Sequence, residues 1–265
     1  MLQRPRRNRK SAAIRGLAEE IQLHPQHLVQ PLFLVFGSNK KNTIKSLPNI
    51  FQLSIDHALK EIETCLKLGV HSFILFPAVD EKLKNKTATY SYSSKNFYLK
   101  AIKKFKAEFP DACLISDVAM DPYSTDGHDG YVENEKILND KTLPILSKMA
   151  LAQAEAGIDI LGPSDMMDGR VGFIRQQLDE NGFSETSIMS YTAKYASAFY
   201  GPFRDALESA PKSGDKKTYQ MNPANKREAL LEADLDFAEG ADFLMVKPAS
   251  IYLDIIHVLK QQFPI

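Results

Sequence analysis

Short, nearly continuous apolar runs alternate with helical periodicities along most of this chain, and that alternation restricts the fold more than any other feature. The strand candidates are Leu28 to Phe36, Ser72 to Pro77, Cys113 to Met120, Asp159 to Pro163, Ser187 to Lys194, a weak run at Thr218 to Met221, and Asp242 to Lys247. Between them, Ile55, Leu59, Ile62 and Leu66 recur on one helical face, and Ala229, Leu230, Ala233 and Phe237 form a second stripe. Gly69, Gly157 and Gly240 stand where such helices should stop. Strands that are apolar throughout need cover on both faces, which means a parallel sheet joined by crossover helices. For 265 residues the leading solution is an α/β (β/α)8 TIM barrel, with a doubly wound sheet second. Residues 28–265 are assigned to the barrel and residues 1–27 to an extended N-terminal arm. The last helical pattern, Ile251 to Phe263, runs into Pro264 and Ile265, so the barrel is expected to lack its eighth strand–helix unit in this chain.

Composition narrows the setting. Lysines and arginines balance aspartates and glutamates at 33 each, so no bulk charge draws the chain to nucleic acid. The basic opening MLQRPRRNRK is followed by no apolar core of a signal peptide, and no apolar run is long enough for a membrane span. Cys65 and Cys113 read as reduced, packed thiols. The expectation is a soluble cytoplasmic protein.

Two strand candidates, ending SYTAK and FLMVK, each place a lysine at the strand's C-terminal end: Lys194 and Lys247. In a parallel barrel that is where reactive groups gather. A lone lysine there usually snorkels or pairs with an acid. Two facing one cavity repel each other and lose solvent, and both effects favour the neutral amine. With a reference pKa of about 10.4, only on the order of one lysine in two thousand is neutral at pH 7; a three-unit depression, about 4 kcal/mol, removes most of that handicap. Paired lysines therefore point to Schiff-base chemistry on a carbonyl. A third strand end, SDVAMDPYSTDGHDG, gathers Asp117, Asp121, Asp126, His128 and Asp129, and a fourth, LGPSDMMDGR, adds Ser164, Asp165, Asp168 and Arg170. Such residues also make ordinary polar turns. As a site they offer hard oxygen ligands and one imidazole, suited to magnesium rather than to tight structural zinc.

Together DVAMDPYSTDGHDG, GPSDMMDGRV, SYTAKYASAFYGPFRDA, YQMNPANKREAL and EGADFLMVKPASIYLDI closely resemble the porphobilinogen synthase (5-aminolevulinate dehydratase) family, and the likeness covers essentially the whole chain. The resemblance implies a lyase that condenses two molecules of 5-aminolevulinate into porphobilinogen on the way to haem and other tetrapyrroles. It assigns Lys247 to the Schiff base on the propionate side and Lys194 to the one on the acetate side. Asp117 and Ser164 match residues lining the propionate-side pocket. Arg204 and Lys216, with Gln220 beside them, match a carboxylate clamp carried on a lid from Tyr200 to Gln220. Glu232 matches the ligand of an allosteric magnesium, and a homo-octamer is the family's assembly.

The chain departs from the zinc-dependent members, whose three cysteines align with Ala119, Asp121 and Asp129. The resemblance therefore implies no catalytic zinc and no organic cofactor. A magnesium or monovalent ion at Asp121 and Asp129 stays open, as does a role for them in proton transfer and in binding the substrate's amine. Two alternatives stand beside this reading: a truncated relative serving only in assembly, and a class I aldolase acting on another keto substrate.

Overall fold

A computed structural model describes residues 1–207, 209 and 211–265. The strands are β1 (Val29–Val35), β2 (Lys41–Thr43), β3 (Phe51–Leu53), β4 (Ser72–Ala78), β5 (Cys113–Val118), β6 (Val132–Glu133), β7 (Lys136–Ile137), β8 (Ile160–Pro163), β9 (Ser187–Lys194) and β10 (Phe243–Lys247). The helices are α1 (Ala12–Leu17), α2 (Ile55–Lys67), α3 (Phe97–Glu108), α4 (Asn139–Glu155), α5 (Arg170–Glu180), α6 (Gly201–Leu207), α7 (Lys226–Ala238) and α8 (Leu253–Gln262).

One sheet runs β10-β9-β8-β5-β4-β1-β3-β2 and is parallel throughout except where β2 turns back on β3. Hydrogen bonding does not close the expected (β/α)8-type sheet into a ring, because β10 and β2 are the two ends of the ladder. The expected absence of an eighth unit gains no support either, since the short strands β2 and β3, unforeseen in the sequence, bring this sheet to eight strands. The weak strand at Thr218 to Met221 is also corrected: Met221 makes only an isolated bridge to Tyr195. The other strand candidates end within two residues of their expected limits.

Alternate side chains explain the continuous apolar runs. Leu32, Leu34, Phe73, Leu75 and Leu114 pack outward against α2 and α3. Phe33, Ile74, Phe76, Ile115 and Tyr191 pack on the other face, where Ala206 and Leu207 of α6 cover them. Gly69, Gly157 and Gly240 follow α2, α4 and α7 with φ of 84°, 95° and 98°, the left-handed turn that glycine adopts without strain. Gly162 in β8 is needed for another reason: a Cβ there would sit 2.5 Å from the Ser116 carbonyl oxygen, so the close approach of β8 to β5 excludes any side chain. The arm exposes Leu17, Ile21 and Leu23. Among the described residues, no helix is long and apolar enough to cross a membrane.

Candidate active site

Lys194 and Lys247 are register partners on adjacent parallel strands. Their common orientation depends on an irregularity in β9. Leu244 pairs with Ser190 but Val246 pairs with Ala193, so β9 carries one residue more than β10 over this stretch. Thr192 turns outward to Asp236 of α7, and Ala193 also turns outward, packing with Ala229 and Ala233 of the same helix. Strict alternation would then send Lys194 outward as well. The extra residue instead brings it in beside Tyr191 and Lys247.

The two amines have different surroundings. The Lys247 Nζ lies in an aromatic cage, 4.0 Å from the ring centre of Phe203, 5.0 Å from Tyr191 and 5.7 Å from both Phe76 and Tyr200. Burial, then repulsion from Lys194, lowers its pKa to about 8. The Lys194 ammonium instead donates to Asp129 Oδ2 at 3.1 Å and to the Ser164 carbonyl. The paired-lysine expectation thus resolves into a caged amine and an ion-paired one.

Asp129 is the hub of the charged half. Lys216 donates to its Oδ1 and, at 3.2 Å, to Asp121 Oδ2. Burial would push the Asp129 carboxyl up, but the ammoniums of Lys194 and Lys216 outweigh it and hold the group below its usual value. Asp121 is shifted up by burial despite Lys216. Asp117 is pushed up to about 6, first by burial and then by Asp121, with Ser164 and the lysines pulling the other way. Its backbone is fixed from outside the sheet: Gln153 of α4 donates to the Asp117 carbonyl at 3.0 Å, and the Asp117 N–H donates to the Tyr98 hydroxyl of α3.

One cavity of about 30 Å³ collects Asp117, Asp121, Ser164, Lys194, Arg204, Lys216, Gln220 and Lys247, joined by Tyr200, Phe203 and Ser209. Every residue expected to bind substrate therefore reaches a single space. Sequence reasoning missed the cage and Ser209; the run FYGPFRD, with Tyr200 and Phe203 just before Arg204, was the available signal. Positions 208 and 210 of the expected lid lie outside the described residues.

Metal ligation divides in two. At Asp121 and Asp129 the Lys216 ammonium already bridges the carboxylates, so the residues present do not suit a cation there. Glu232 lies elsewhere, in a groove with Asp168, Asp215 and Glu228. Burial pushes it up to about 7, opposed by Arg170 and reinforced by Asp236, Asp168 and Glu228. A hard divalent cation would relieve that repulsion. Among the described residues no three acids, histidines or cysteines converge as a ready ligand set. Asp236, one turn on, is occupied inside the protein by Arg170, Ser190 and Thr192.

Comparison with known proteins accords with this geometry. The family model described as Delta-aminolevulinic acid dehydratase matches residues 2–265. A Delta-aminolevulinic acid dehydratase of Chlamydia pneumoniae is 54% identical over 97% of this chain and 78% of its own length. The chloroplastic enzyme of Hordeum vulgare is 53% identical over 98% of this chain, which spans 61% of that relative. The crystal structure of delta-aminolevulinic acid dehydratase (porphobilinogen synthase) from Toxoplasma gondii ME49, in complex with the reaction product porphobilinogen, superposes with a TM-score of 0.96 at 48% identity, over 99% of this chain and 75% of that one. The chain belongs to the delta-aminolevulinic acid dehydratase family.

Proposed function

We propose that this chain is a porphobilinogen synthase: a lyase that condenses two molecules of 5-aminolevulinate to porphobilinogen, supplying haem and tetrapyrrole biosynthesis. The observation that carries the reading is the pairing of Lys194 with Lys247 across β9 and β10, in one cavity with the buried carboxylates of Asp117 and Asp121 and with Arg204, and with Asp129 against Lys194.

The unequal surroundings of the lysines suit two roles. Lys247 is the first nucleophile: with a pKa near 8, roughly a tenth of it is neutral at pH 7. Its nitrogen adds to a substrate carbonyl, water leaves, and the resulting iminium acidifies the adjacent carbon. Asp117 and Ser164 bind the amino group of that substrate. Lys194 is engaged in an ion pair with Asp129 that its nitrogen must leave before it can attack. It therefore reacts second, while Arg204, Lys216 and Gln220 clamp the other substrate's carboxylate. Asp121 and Asp129 serve proton transfer and hold Lys216, with no metal between them.

Magnesium belongs at Glu232, completed largely by water, where it would favour the ionised carboxylate and bind as an allosteric ion. Self-association as a homo-octamer is supported by the exposed apolar residues of the arm and by Leu231 and Leu235 on the outer side of α7. The two free thiols suit a reducing cytoplasm.

The test is borohydride reduction in the presence of 5-aminolevulinate, followed by peptide mapping. Label on Lys247, and on Lys194 at saturating substrate, is expected. Label on neither lysine sinks the assignment.

A further inference from the structure

Lys216 and Gln220 reach the cavity from a segment whose ends are held by one side chain outside that cavity. His128 is buried and is not among the groups lining the cavity; it borders the groove behind it, as Tyr219 does. Its Nε2 lies 2.9 Å from the Ser213 carbonyl oxygen, and its Nδ1 lies 3.1 Å from the Tyr219 hydroxyl. The Asp129 backbone N–H donates to that same hydroxyl at 3.4 Å. The two rings meet edge to face, 6.0 Å apart.

The hydrogen-bond roles follow from what each atom can do. A carbonyl only accepts, so Nε2 carries the proton toward Ser213. In the neutral ring Nδ1 is then an acceptor, taking the proton of the Tyr219 hydroxyl. That leaves the hydroxyl oxygen free to accept from Asp129. Each donor has an acceptor, and the chain of bonds runs Asp129, Tyr219, His128, Ser213. It spans the arch that carries Lys216 and ends on the backbone of the residue whose carboxylate binds both Lys194 and Lys216.

We propose that His128, acting with Tyr219, is a positioning residue for the condensation. The pair staples both ends of the arch to the loop after β5, and so fixes the Asp129 carboxylate against Lys194 and Lys216 together. Without the staple the arch keeps its flanking attachments, the Lys212 N–H to the Asp126 carbonyl at 3.1 Å, the Lys212 ammonium to Glu81 at 3.0 Å and the Met221 N–H to the Lys194 carbonyl at 2.9 Å, and between them only the flexible Lys216 side chain still reaches the loop after β5 among the described residues. The backbone that carries Lys216 and Gln220 lies between those flanking points. The cage around Lys247 draws on Phe76, Tyr191, Tyr200 and Phe203, none of them in the arch. Loss of the staple therefore impairs the half of the site that clamps the second substrate and leaves the first amine intact.

This rests on the porphobilinogen synthase reading, and the experiment separates the two. Wild type, Tyr219→Phe, His128→Gln and the double variant are compared as full chains for kcat and KM, for borohydride labelling of each lysine with 5-aminolevulinate, and for protease cleavage within residues 211–220. Tyr219→Phe keeps the ring and removes one oxygen, so it guards against simple misfolding. The expected result is a roughly tenfold fall in kcat/KM for each single variant, carried mainly by KM. Labelling of Lys247 stays unchanged, labelling of Lys194 falls, and cleavage of the arch is faster. The double variant is no worse than the more impaired single one, as for two parts of one device. If wild type is labelled on neither lysine, the parent reading fails. If wild type is labelled and Tyr219→Phe matches it in KM, in Lys194 labelling and in cleavage, the staple is overturned; an additive double variant also overturns it.

Discussion

The ring of Phe203 stands 4.0 Å from the Nζ of Lys247, so a helix with no acid or base in contact with that nitrogen helps decide when it can react. With the Lys247 pKa lowered to about 8 by burial and by Lys194, the neutral fraction grows tenfold per pH unit below that point and saturates above it. Borohydride labelling of Lys247 by 5-aminolevulinate, measured at a fixed short time from pH 6 to pH 10, is expected to rise with a midpoint near 8. A midpoint above 10 would mean that the cage does not desolvate the amine.

Asp117 sets function against stability. Its pKa of about 6 lies above its ordinary 3.8, so the folded chain holds the proton more tightly than the unfolded chain does. The sign follows: stability falls as pH rises from about 4 to 6, and the cost persists above that range. The residue is only 6% exposed, so the whole shift counts, on the order of 3 kcal/mol. Asp117→Asn should therefore melt higher than wild type at pH 8, lose that advantage near pH 4, and raise KM at least tenfold. Equal melting temperatures at pH 8 would refute the burial argument.

Lys216 is the counter-ion of two buried carboxylates. Lys216→Met leaves both without it, and breaking buried ion pairs of this kind costs about 3–5 kcal/mol. Urea unfolding should show a loss of that size at pH 7, and turnover should fall at least a hundredfold. Adding Asp129→Asn should recover part of the stability and none of the activity.

Magnesium is expected to act through Glu232. At pH 7 the ion competes with a proton for a carboxylate whose pKa is about 7, so its effect should be larger at pH 8 than at pH 6. Activity and melting temperature should both rise with magnesium in the wild type and stay flat in Glu232→Gln. An unchanged response in that variant would move the ion elsewhere.

Arg170 and Asp236 form a buried pair that ties α5 to α7, and Ser190 and Thr192 of β9 bond to the same carboxylate. Beside them, Arg170 Nε and Asp165 Oδ2 lie 3.9 Å apart and neither has a hydrogen-bond partner. Arg170→Met should cost about 3–5 kcal/mol, because Asp236 then stays buried without its counter-ion. Arg170→Met with Asp236→Leu should cost less than Arg170→Met alone.

Residues whose position follows from strand ends were legible in the sequence. Lys194, Lys247, Asp117 and Ser164 lie at or just beyond strand C-termini, and hydrophobic periodicity is enough to find those points. Residues whose role depends on distant partners were not. Arg170 meets Asp236 across 66 positions and His128 meets Tyr219 across 91, separations that local pattern does not span. The short strands β2, β3, β6 and β7 also escaped notice, because two or three residues carry too little alternation to stand out from a loop. Thr218 to Met221 looked like a strand by composition, yet Tyr219 and Gln220 turn to His128 and the cavity instead.

The extra residue in β9 gives strand length a chemical meaning. Deleting one position between Ser190 and Ala193 would leave every acid, base and nucleophile of the cavity in the sequence. It would also restore plain alternation, with Ala193 outward and Lys194 inward opposite Lys247, so the two amines would still face one another and a deletion at Thr192 would lose only its bond to Asp236. The surplus residue therefore serves the outer face of the strand: it sets two successive side chains, Thr192 and Ala193, against α7, and active relatives with one residue fewer here should lack the Thr192 partner of Asp236.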